Sequence, residues 1–116
     1  SIFPFKNAYK NVMEFLKTKK VDAIFALSDR MAAGAITAAK AMGMDVPGDI
    51  SVAGFDNVDI SYMVSPNITT VSQNQQQMGA EAMKNLIAMM DGEQNIKSKL
   101  IKHEIIWRQS VKEEEE

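Results

Sequence analysis

Two short apolar runs in this chain stop abruptly at polar residues. Val21–Leu27 (VDAIFAL) gives way to Ser28-Asp29-Arg30, and Val52–Phe55 (VAGF), within Ile50–Asp59, gives way to Asp56-Asn57. Brief apolar runs between turn signals suit strands covered on both faces, as in a parallel sheet. Ligands of open α/β sheets bind just beyond the carboxyl ends of the strands. The two polar ends are therefore expected to face one cleft.

Helical spacing fills most of the remainder. Phe5, Tyr9, Val12, Met13 and Leu16 form one stripe after Pro4, a residue well suited to a first helical turn. Lys17, Lys19 and Lys20 close that helix, at the negative end of its dipole. A second helix is expected from about Arg30 to Met42, capped by Asp29 and ended by Gly43 in the left-handed region. Its small residues, from Ala32 to Ala39, permit close packing. Pro47-Gly48-Asp49 is a turn, Asp59–Met63 one short helical turn, and Ser65-Pro66-Asn67 a break. Ile68–Ser72 is β-branched and reads as a strand. The polar run Gln73–Gln77 leads into a helix marked by Met78, Ala82, Leu86 and Met89 and ended by Asp91-Gly92. Lys99–Trp107 reads as a closing strand, and Val111–Glu116 as a solvated acidic tail. Strands alternating with helices argue for the α/β class with a parallel sheet. The opening helix lacks the strand that a crossover unit normally places before it, so the chain is expected to be a piece of something longer.

Composition narrows the function classes. With 116 residues, 46% hydrophobic and 24% charged, the chain is expected to fold as one globular domain. No apolar run approaches the roughly 20 residues of a membrane helix, and no signal-peptide pattern opens the sequence. The absence of cysteine removes disulfides and thiolate metal sites and fits a cytoplasmic protein. A net charge of −2 without a basic stripe argues against this segment gripping phosphate backbones. The nine methionines read as adaptable core filler. There is no GxGxxG and no phosphate-binding loop, so no cofactor is expected. His103, the single histidine, reads as a surface strand residue rather than part of a triad or zinc site. Asp56 and Asp59 lie on a turn that does not fix them as an acid/base pair. No enzyme is expected.

Read together, the strand ends are more specific. The stretch SDRMAAGAITAAKAMGMDVPGDISVAGFDN resembles the effector-domain signature of the lactose/galactose repressor family of bacterial transcription regulators. Asp29, Met31-Ala32, Gly34-Ala35, Gly43, Val46-Pro47, Asp49-Ile50-Ser51-Val52 and Gly54-Phe55-Asp56 match that pattern. Pro66, Thr69-Thr70-Val71, Gln73 and Met78-Gly79 continue it, and Arg108-Gln109-Ser110 resembles its terminal R-x-S.

The resemblance implies a two-lobed, periplasmic binding protein-like fold that clamps a small effector, most simply a carbohydrate, between lobes. It implies that residues 1–110 are the C-terminal portion of the effector-binding domain. Residues 74–104 would cross to the other lobe, and DNA would be contacted only through a helix-turn-helix headpiece absent from this sequence. The implied effector contacts are Phe3, stacking on a ring, Asp56, accepting from hydroxyls, Gln73, at the hinge crossing, and Ser28. The last stands where the family commonly has asparagine, and offers one donor instead of two. Asn57 is a secondary candidate. The implied homodimer contacts are Phe5, Tyr9, Met31, Ala35, Tyr62 and Met63. Two other readings remain open: an extracytoplasmic sugar-binding protein of the same fold serving a transporter, and a flavodoxin-like enzyme or receiver domain.

Overall fold

The computed structural model describes residues 3–96 and 100–113. Pro4 opens α1 (Pro4–Thr18), and no side chain caps its start. Its stripe buries Ala8 and half-buries Tyr9, Val12, Met13 and Leu16. That face lies against α2 (Asp29–Ala41), whose small residues allow near-contact of the two backbones. At Gly34 an added Cβ would overlap the Phe5 carbonyl oxygen and lie 3.1 Å from both the Ala8 Cβ and the Tyr9 nitrogen. Gly34→Ala is therefore expected to destabilise the chain by about 1–3 kcal/mol, because helix backbone cannot swing aside as a side chain would. That outweighs the roughly 1 kcal/mol of helix propensity which alanine adds. Urea unfolding of the variant measures the difference.

The four strands are β1 (Ala23–Phe25), β2 (Ser51–Phe55), β3 (Thr69–Ser72) and β4 (Glu104–Ile106), in the sheet order β1-β2-β3-β4. The first two pairings are parallel and β3–β4 is antiparallel. The mixed α/β architecture with a mainly parallel sheet agrees with the sequence pattern. The short α3 (Ile60–Met63) precedes β3, and α4 (Gln75–Met90) follows it. The core is small: Ala26, Ala32, Ala33, Ala35, Ile36, Val52 and Ile68. Gly43 follows α2 with φ 80°, as expected of a left-handed helix stop.

Several expectations are corrected. The first strand is not covered on both faces. Its helices lie on one side, so Ile24 and Ala26 face the core while Phe25 is 62% exposed. Ala23, Phe25, Ala53, Val71, Ile105 and Trp107 line an open apolar trough of about 420 Å³ on the other side. Nor are the methionines mostly core filler: all nine are half-buried or exposed, and Met31 packs against the core cluster. The closing strand is shorter than Lys99–Trp107, and Lys99 lies outside the described residues. The tail is docked at its start. Val52 donates its backbone N–H to the Ser110 carbonyl, and Lys112 donates its own to Ser51 Oγ at 2.9 Å. Residues 114–116 of the acidic tail lie outside the described region. The long helix α4 buries none of its residues.

Candidate ligand-binding site

Strand register places the polar ends together. Phe25 pairs with Ala53, and Ser28 and Asp56 each lie three residues further on. They leave neighbouring strands at the same height, where parallel strands are about 4.8 Å apart. Phe55 pairs with Val71 on β3. Two residues beyond Val71, Gln73 donates from Nε2 to Asp56 Oδ1. Asp56 and Gln73 thus meet at the carboxyl edge of the sheet, and strand register puts Ser28 at the same height after the neighbouring strand. Phe3, 64% exposed, stands apart at the start of α1. It lines a cleft of about 210 Å³ with Pro4, Phe5, Lys6 and Arg30. A second cleft of about 350 Å³ lies between Arg30, residues 57–60 and Gln75. Arg30 is the residue common to both. A larger cavity of about 770 Å³, between Pro47 and residues 107–109 and 111–113, gathers none of these strand-end groups.

The turn carrying Asp56 is held in an uncommon shape. Asp56 has φ 100° and Asn57 φ 56°, both in the left-handed region that most side chains avoid. Three distant residues hold it. Asp29 is fully buried, and its carboxylate accepts from the Val58 backbone N–H at 2.7 Å and from the Thr70 hydroxyl at 2.5 Å. Thr70 Oγ1 in turn accepts from the Asn57 N–H at 3.3 Å. Arg108 donates from Nη2 to Asn57 Oδ1 at 2.8 Å, and from Nη1 to Ser61 Oγ and the Ile68 carbonyl at 2.9 Å each. Glycine at position 54 is required sterically, since an added Cβ would overlap the Asp29 carboxylate.

These bonds revise the expected helix cap. Ser28, not Asp29, caps α2: its Oγ accepts from the Met31 N–H at 3.2 Å. The hydroxyl proton of Ser28 is left available for a ligand acceptor. Sequence reasoning passed over Thr70 and Arg108 as holders of the site. Both stood within matched motifs, but a motif does not say what a residue touches.

The residues read as dimer contacts are dispersed in burial. Phe5, Tyr62 and Met63 are 39%, 53% and 74% exposed, and Tyr9 and Met31 are half-buried. Ala35 is an exception. It is 1% exposed, enclosed within this chain's own core, and has no surface to give a partner. Tyr62 donates its hydroxyl to Asp59 at 2.7 Å, and that carboxylate holds the phenol pKa above its ordinary value, with Arg108 acting weakly the other way.

Residues 3–111 match the family model described as the periplasmic binding protein-like domain. The chain belongs to that family. Its relatives within it are regulators of the lactose/galactose repressor type. The transcriptional regulator MalR of Clostridium butyricum is 43% identical over 104 residues, covering 89% of this chain and 31% of the relative. A LacI family transcriptional regulator from Arthrobacter sp. FB24, solved with lactose, superposes with a TM-score of 0.84 at 27% identity. That match covers 93% of this chain and 42% of the other. The lac repressor dimer bound to operator and an anti-inducer superposes with a TM-score of 0.78 at 26% identity, covering 90% and 37%. The chain therefore spans about a third of the length of its regulator relatives. These relatives are regulators, not enzymes.

Proposed function

We propose that this periplasmic binding protein-like chain is the C-terminal part of a bacterial repressor's effector-binding domain. Asp56 carries this reading. A carboxylate at a strand end, in a rigid left-handed turn and bonded to Gln73 where the chain leaves the sheet, is built to accept hydroxyl hydrogen bonds. Ser28 adds a hydroxyl donor beside it, and Phe3 an aromatic face across Arg30. The effector class favoured is a carbohydrate or a related small polar molecule. Ligand closure of two lobes would shift the population competent for DNA, with the DNA contacts made outside these residues. The full regulator would work in the cytoplasm. The apolar side of α4, with Met78, Met83, Leu86 and Met89 44–61% exposed and none of its residues buried, supports a crossing of residues 74–104 to a second lobe that covers it. A homodimer would use Phe5, Tyr9, Met31, Tyr62 and Met63.

The test uses the full-length protein in a thermal-shift screen of lactose, D-ribose, sugar phosphates and nucleobases. One class should raise the melting temperature, since a ligand at a hundred times its Kd adds about 2.7 kcal/mol to stability. The same compound should change affinity for the regulator's own promoter fragment. Stabilisation by a sugar with no DNA binding by the full-length protein, and an export signal in its coding sequence, would establish the transporter reading instead.

A further inference from the structure

Arg108 lies two residues beyond β4, far in sequence from the Asp56–Asn57 turn, yet its guanidinium joins three separate segments. One nitrogen holds Asn57, beside Asp56, and the other holds Ser61 of α3 and the carbonyl that precedes β3. Its guanidinium carbon also sits 5.9 Å from the centre of the Tyr62 ring. Ser61 is fully buried and donates its hydroxyl to the Val58 carbonyl at 2.7 Å, closing the loop back to the ligand turn. Among the described residues, the acceptors of the guanidinium are therefore on the 56–58 turn, on α3, or just before β3. The planar fork of the guanidinium suits this, because its donors point in fixed, divergent directions.

We propose that Arg108 is a positioning residue that locks the Asp56–Asn57 turn to α3, so that the ligand turn and the exposed Tyr62–Met63 surface move as one body. This rests on the effector-site reading for its meaning, but not for its test. A ligand that shifts Asp56 would then shift α3 as well, and with it a surface available to a partner.

The test is hydrogen exchange of the full-length protein, read on peptides covering residues 55–64. Arg108→Met should speed exchange over both the turn and α3 by about tenfold or more, the scale expected on losing charge-assisted hydrogen bonds. Peptides from α1 and α2 should be unchanged, and Arg108→Lys should restore part of the protection. Ser110→Ala, which removes buried bonds to Thr69 and Val52 nearby, should not reproduce the pattern. Asn57→Gly removes the acceptor without opposing the left-handed backbone, and should speed exchange in α3 even if Arg108→Met does not fold. Unchanged exchange in α3 in the folded variants, or equal loosening by Ser110→Ala, overturns the proposal. Failure of every compound in the thermal-shift screen to stabilise the wild type would instead remove the effector reading and leave the exchange result standing.

Discussion

Asp56→Asn in the full-length protein is expected to weaken binding of the proposed effector by about 10- to 100-fold with little loss of melting temperature. The estimate follows from hydrogen bonds to a charged group, each worth about 1.5–3 kcal/mol, against neutral ones worth about half that. Asparagine is the informative substitution because of the backbone. At φ 100° an alanine would be strained whether or not a ligand is bound, whereas asparagine tolerates the left-handed region better than most residues. Its side-chain oxygen also preserves an acceptor for Gln73. What is lost is the charge, and with it the second strong acceptor for a hydroxyl pair. Calorimetric titration with whichever sugar stabilises the wild type reads the effect directly. Equal affinity for wild type and variant would remove Asp56 from the ligand contacts.

The strand ends were legible because the change from apolar to polar is abrupt at Leu27–Ser28 and Phe55–Asp56. The second change marks the end of β2 at Phe55, whereas β1 already stops at Phe25, two residues short of the first change. The covering of the strands was less legible. An unbroken apolar run is the same whether one face or both are covered, and the exposed Phe25 shows that this chain supplies only one layer. The cap of α2 was ambiguous for a local reason. Serine and aspartate are both strong cap formers, and which one turns toward the helix is decided by what competes for the other. Val58 and Thr70 compete for Asp29, and they lie 29 and 41 residues away. Arg108 is 51 residues from Asn57, so no local pattern could have linked them. Their presence in matched motifs marked them as candidates without giving their roles.

Asp29→Ala is expected to have the largest effect on stability, a loss of about 2–6 kcal/mol from two orphaned donors at about 1–3 kcal/mol each, against the 5–15 kcal/mol typical of a folded domain. A buried carboxylate can sometimes be replaced by apolar groups at little cost, provided its partners are replaced too. Here one partner is the Val58 backbone N–H, which no side-chain substitution short of proline removes. It would be left half-buried beside Thr70, itself 1% exposed, with neither donor keeping its Asp29 acceptor. Loss of a negative charge at the first turn of α2 adds about 0.3–1 kcal/mol in the same direction. Asp29→Asn keeps one acceptor and should lose less. Thr70→Val removes one donor with the other bond intact, and should cost about 1–2 kcal/mol. Because the two side chains touch, the pair of variants should not add: after Asp29→Ala, Thr70→Val should cost little or even recover stability, since the orphaned hydroxyl goes with it. Urea unfolding of the single and double variants measures the coupling, and strict additivity would mean that the Asp29–Thr70 bond does not anchor the ligand turn.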